Sequence, residues 1–143
     1  MRKGGGRVTD GEKRYQILRG RLYERLPVLA LALGLLDWRE AEKTGTDGQL
    51  FYAPVSFLAK SQTDRETAER TLLHSVLHAM LGHIWERGNR AEGKWSLACD
   101  MAAEFLSFRM LGLTLEGGTA KAFYALEPGT AFSAPAIYAQ VND

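Results

Sequence analysis

The sequence predicts an α+β domain that is mostly helical, with one short β-hairpin. Three observations carry this. Leu72/Leu73, Val76/Leu77, Met80/Leu81 and Ile84/Trp85 recur every four residues, the period of one helix face. Two Thr-x-x-Glu capping boxes, Thr9 with Glu12 and Thr63 with Glu66, mark helix starts. Between them, residues 41–55 lose the helical period and contain Asp47-Gly48, a favoured pair for a two-residue type I′ hairpin turn.

Taken in order, residues 1–12 form a flexible basic N-terminus in which the Thr9 box opens a first helix that runs to about Arg25. Pro27 fits the first turn of a helix but not its interior, so a second stretch, Pro27 to Trp38, follows a kink. The hairpin comes next. A long helix is expected over about Asp64 to Arg87, ending at Gly88-Asn89, and another over about Lys94 to Leu111, ending at Gly112. Gly117-Gly118 reads as a turn, Thr119 as the cap of a short helix ended by Pro128, and Ser133 as the cap of a last one. Residues 13–143 form one domain, since 143 residues is about one domain's length.

Composition narrows the class without naming a function. With 45% hydrophobic and 24% charged residues the chain has a core, and it is neither disordered nor collagen-like. The longest apolar run, Leu26 to Leu36, is broken by Pro27 and is too short for a membrane-spanning helix, which needs about 20 residues. Cys99 is the one cysteine, which excludes an intrachain disulfide and suits a reducing compartment. No apolar secretory segment follows Met1, so the expected location is cytoplasmic. The net charge of +1 hides an asymmetry: residues 1–25 hold eight cations against three anions. Without interleaved aromatic residues this reads as a solvated helix face rather than a nucleic-acid site.

Chemistry concentrates on the long helix. His74 and His78 are four residues apart, hence only about 40° apart around a helix, and both imidazoles can face one ion. Two ordinary histidines at the edge of a core would show the same spacing. His83 stands about 180° from His74, so a structural role is expected for it. On the next helix Asp100 and Glu104 share a face. The apolar surroundings of Asp100 in Ala98-Cys99-Asp100-Met101 demand a specific partner, whether metal, arginine or a buried donor.

These residues carry a resemblance. The segment L-L-H-S-V-L-H-A-M-L-G-H (72–83), then R-G-N-R (87–90) and W-S-L-A-C-D (95–100), resembles the zincin-type N-terminal domain of metallopeptidase-like proteins that carry a von Willebrand factor A-like C-terminal domain. That family shows His-Glu-x-x-His, a nearby Gly-His, and Trp-Asn-x-Ala-x-Asp on the following helix. T-D-G-Q-L-F-Y-A-P (46–54) and S-A-P-A-I-Y (133–138) resemble its hairpin and closing helix, so the likeness spans about residues 13–141. It implies a zincin-like fold with Zn2+ held by His74, His78 and Asp100. It also implies a substrate-aligning strand at Phe51 and Tyr52, and a peptide or protein as substrate or partner.

One departure alters the implied activity. Ser75 stands where the family has its general-base glutamate, and a neutral hydroxyl takes a proton from zinc-bound water poorly. Ser96 replaces the family's Asn after Trp95. Glu104 also replaces an Asn and is a candidate extra ligand or surrogate base. The expected function is therefore a zinc-binding metallopeptidase-like domain with weak or lost peptidase activity, a pseudoenzyme. The alternative is a metal-free protein-interaction module on the same scaffold.

Overall fold

The computed structural model describes residues 9–81 and 88–141. His83 and the expected end of the long helix at Arg87 lie outside the described residues. The chain forms two compact units, one through Leu72 and one from Leu73 onward.

In the first unit, α1 (Asp10–Arg25) starts where the Thr9 hydroxyl accepts the Glu12 N–H at 3.1 Å. The expected boundary at residue 12 therefore falls inside a helix. Gly11 has a reason to be glycine: a methyl group there would lie 2.5 Å from the Trp38 ring. Tyr15, Leu18 and Leu22 form the buried stripe of α1, which packs against α3 (Val55–Lys60). Nothing in the sequence reading anticipated α3, a short helix whose N-cap residue, Pro54, makes no side-chain capping bond.

The kink at Pro27 is a single 3-10 turn, Pro27–Leu29, leading into α2 (Ala30–Leu35). The expected helix to Trp38 stops short, because Asp37–Glu40 is a strand, β1. It pairs in parallel with β3 (Leu50–Ala53), in the register Asp37↔Leu50 to Glu40↔Ala53, while β2 (Gly45–Thr46) pairs with β3 antiparallel. The sheet order β1-β3-β2 contains the expected hairpin and adds a strand to it.

The hairpin turn is not the two-residue type. Thr46 pairs with Phe51, so four residues, 47–50, separate the paired positions. There the Asp47 carboxylate accepts the Gln49 and Leu50 N–H groups and the Tyr52 hydroxyl, and Gly48 takes φ 93°. Side-chain bonding to the local backbone, the habit of Asp in turns, has replaced the tighter loop.

Three of the N-terminal cations are bound within this unit. Arg19 lies over the Tyr15 ring and bonds the Leu33 carbonyl, and Arg21 bonds the Ser61 carbonyl. Arg25 reaches both Glu66 and Glu69 at 2.8 Å. Glu66 is thus paired with an arginine rather than closing a capping box. Both the N–H and the hydroxyl of Thr63 go back to the Lys60 carbonyl.

Helix α4 (Arg65–Met80) runs from the first unit into the second. Leu72, Leu73, Val76 and Leu77 are buried as the period predicts, but Met80 and Leu81 are exposed. In the second unit α5 (Glu92–Met110) packs against α6 (Gly117–Tyr124) and α7 (Ala134–Tyr138). Its buried face of Trp95, Ala98, Cys99, Ala102 and Phe105 meets Ala134 and Ile137, while Leu97 on the opposite side is exposed. The Ser133 cap is present, its hydroxyl accepting the Ala136 N–H. Gly117 and Gly118 are not a turn before a Thr119 cap. Helix α6 begins at Gly117, at φ 60°, and Thr119 lies in its first turn. No described helix is long and apolar enough to cross a membrane.

Candidate metal centre

In the second unit the last turns of α4 and the middle of α5 bring four polar side chains together. His74 and His78 project from one face of α4, as their four-residue spacing requires, and Asp100 and Glu104 from one face of α5. His78 Nε2 lies 2.9 Å from Asp100 Oδ1 and 2.9 Å from His74 Nε2, and His74 Nε2 lies 3.4 Å from Asp100 Oδ1. The two rings meet edge-on with centroids 4.7 Å apart.

With Asp100 ionised, protons alone do not satisfy all three contacts. A ring nitrogen carries either one hydrogen or one lone pair in the ring plane. If both Nε2 atoms carry hydrogens and donate to Asp100, two N–H groups confront each other at 2.9 Å. If His78 Nε2 instead presents a lone pair to His74, that lone pair also faces the Asp100 carboxylate oxygen at 2.9 Å. If His74 holds the lone pair, the same conflict falls on its 3.4 Å contact with Asp100. A single cation serves all three lone pairs at once. The ligand atoms of His74, His78 and Asp100 all lie within 4.8 Å of one another, and the three residues form a group able to hold a metal ion. The spacing suits a small divalent ion, since tetrahedral zinc with bonds of 2.0–2.1 Å separates its ligand atoms by about 3.3 Å.

Glu104 stands elsewhere. Its Oε2 accepts the His74 Nδ1 hydrogen at 3.0 Å, on the ring nitrogen that does not face Asp100. A carboxylate in this position fixes a ring's orientation and tautomer, as it does behind histidine ligands at metal sites.

The electrostatics follow the geometry. Burial disfavours charge on His74, but its hydrogen bonds to Asp100 and Glu104, and their negative charge, outweigh this and raise its pKa to about 9. Hydrogen bonds from His74 and then His78 hold Asp100 well below the usual carboxylate range. The expectation that Asp100 is forced into partnership by apolar surroundings needs correction. Its side chain is 59% exposed, and only its neighbours Ala98 and Cys99 are buried. Charge complementarity, not desolvation, accounts for its partners.

Ser75 is 3% exposed and follows His74 on α4. Phe51 and Tyr52 both lie in β3 of the first unit, but not as a strand that pairs with substrate. Main-chain pairing needs an open edge, and β3 is the central strand, with β1 on one side and β2 on the other. Phe51 is fully buried, stacked on Tyr15 with ring centroids 5.8 Å apart, and the Tyr52 hydroxyl donates to Asp47. A cavity of about 420 Å3 is lined by His74, Asp100 and Glu104 and by three residues of α6, Gly118, Thr119 and Ala122. Sequence reading missed these three, because no spacing on α5 indicates which later helix covers it.

Compared with family models, with curated proteins and with solved structures, the chain matches none.

Proposed function

We propose that the second unit binds one zinc ion through His74 Nε2, His78 Nε2 and Asp100 Oδ1, within a metallopeptidase-like domain whose peptidase activity is weak or lost. The observation that carries this reading is the convergence of His74, His78 and Asp100, whose ligand atoms all lie within 4.8 Å of one another. Two imidazoles and one carboxylate are also the ligand set of many zinc hydrolases, which leave a coordination position for water. Bound zinc would supply a water whose pKa is lowered to about 7 and a Lewis acid for a carbonyl oxygen.

The residues around the site support binding better than turnover. Hydrolysis needs a group that accepts a proton from the attacking water and delivers it to the leaving amine. Ser75 has no such basicity. Of the carboxylates lining the cavity among the described residues, Asp100 is assigned to the metal and Glu104 to the His74 ring. In this reading Glu104 orients a ligand and is neither a fourth ligand nor a substitute base. A peptide or protein that is held and released uncut is the natural occupant.

The test is zinc content. Protein stripped with chelator and dialysed against zinc should bind about one equivalent by ICP-MS, and His74→Ala or His78→Ala should lose it. A wild-type protein that takes up no metal would rule the proposal out. The second reading, a metal-free interaction module, draws on the same cluster: a protonated His74 between Asp100 and Glu104 is an internal ion-pair network with no ion. Partner capture that survives the double His74→Ala, His78→Ala substitution favours that reading.

A further inference from the structure

We propose that a second cavity of the same unit, formed by the end of α6 and the loop that follows it, binds a methylated ammonium group. It shares no lining residue with the cavity at the metal centre, so the proposal does not depend on zinc.

The volume, about 390 Å3, falls in the range of small-ligand sites. Three aromatic side chains, Phe123, Tyr124 and Phe132, stand in its wall. The Phe123 ring lies 5.2 Å from that of Tyr124 at 82° and 5.7 Å from that of Phe132 at 75°. Rings crossed in this way turn their faces in different directions, and the negative face of each attracts a cation. Phe132 already holds one, the Arg109 guanidinium 5.7 Å from its centroid, and Arg109 does not line the cavity. Phe105, almost wholly buried, backs Phe123 at 5.5 Å and Phe132 at 5.7 Å and so fixes two of the three rings. Tyr124 is 79% exposed, which leaves its ring uncovered.

Glu127 gives the wall its sign. It is the single charged residue among the described residues lining the cavity, and its carboxylate has no ion-pair partner among them. Its backbone is held. The Glu127 N–H donates to Gln140 Oε1 at 2.8 Å, and the Thr130 hydroxyl donates to the Glu127 carbonyl at 2.6 Å while accepting Gln140 Nε2 at 2.6 Å. The hydroxyl in the wall is thus spent on the loop. A fully methylated ammonium group carries charge without N–H donors, so it requires no acceptor that this wall lacks, and the carboxylate disfavours an anion.

NMR titration of isotope-labelled protein with choline chloride, against sodium chloride at equal ionic strength, tests this through the shifts of residues 123–132. Choline should bind about fivefold tighter than 3,3-dimethylbutan-1-ol, its neutral isostere, the gain expected for a cation among aromatic rings. Tyr124→Ala should weaken choline binding about fivefold. Glu127→Gln should weaken it about two- to fivefold, as for an exposed ion pair, and leave the neutral isostere unchanged; at an exposed position it serves if Tyr124→Ala does not fold. A trimethyllysine peptide, beside the same peptide with unmodified lysine, separates two sources of the group. Tighter binding than choline, lost without the methyl groups, supports the site and assigns it to a modified protein, whereas choline binding tighter than the peptide supports it and assigns it to a small molecule. Equal affinities for choline and its isostere would overturn the proposal. So would shifts confined to other residues, or a choline affinity unchanged in a folded variant.

Discussion

Glu104 accepts the Nδ1 hydrogen of His74 at 3.0 Å, while Nε2 of the same ring faces Asp100 and His78. One imidazole is therefore held from behind by a carboxylate and directed forward to a potential ion. Removing that support should weaken metal binding without removing a ligand. Glu104→Ala is expected to raise the zinc Kd about 10- to 100-fold, the usual cost of losing such a partner, and Glu104→Gln, whose carbonyl still accepts the hydrogen, should retain most of the affinity. Competition with a chromogenic chelator measures both. Stoichiometric loss of zinc in Glu104→Ala would instead make Glu104 a ligand.

The same histidine predicts opposite pH responses for the metal-free and metal-bound protein. With its pKa raised from 6.5 to about 9, charged His74 contributes stability that is fully present below pH 6.5 and is lost as pH rises through 9. The shift corresponds to about 3 kcal/mol. Metal binding displaces the Nε2 proton, so zinc affinity should strengthen about tenfold per pH unit from 7 towards 9 and then level off. Asp100, already ionised throughout this range, adds no slope. Thermal melts of chelator-treated protein and zinc titrations at pH 7, 8 and 9 check the two trends. A zinc affinity that is flat across that range would contradict the His74 assignment.

Arg25 discriminates between two carboxylates that look alike in the sequence. It lies 2.8 Å from both Glu66 and Glu69, but the Glu69 side chain is 5% exposed and that of Glu66 48%. Arg21 Nε, buried and without a hydrogen-bond partner, lies 3.6 Å from Glu69. Removing a buried partner leaves charge stranded, whereas an exposed pair is worth little. Glu69→Ala should cost about 3 kcal/mol in urea unfolding and Glu66→Ala less than about 1 kcal/mol. Equal losses would show that exposure does not set the strength of this pair.

What the sequence revealed divides along a physical line. The Thr9 and Ser133 caps, the buried stripe Leu72–Leu77 and the shared faces of His74/His78 and Asp100/Glu104 follow from spacing within a few residues. The strand at Trp38 depends on pairing with Leu50–Ala53, a contact that local propensity does not encode. Spacing placed Glu104 on the right face, but which nitrogen of His74 it meets depends on how α4 and α5 approach each other at the site. Asp100 was expected to need a partner because its sequence neighbours are apolar, yet a helix turns each residue by about 100° and those neighbours face inward while Asp100 is exposed.

Ser75 gives the most direct test of why peptidase activity would be missing. On α4 it lies about 60° round the helix from His78, beside the proposed ligand pair, and it is buried. Ser75→Glu adds a base of the right chemistry and is expected to raise zinc-dependent cleavage of a fluorogenic peptide library by about 10²–10⁴ over wild type. The larger side chain at a position only 3% exposed should also lower stability, by about 1–3 kcal/mol. Ser75→Gln carries the same bulk without the basicity, so it should lose the stability and gain no activity. Cleavage by both variants would trace the change to altered packing rather than to the base. Cleavage by neither, with zinc still bound, would show that the loss of activity lies beyond Ser75.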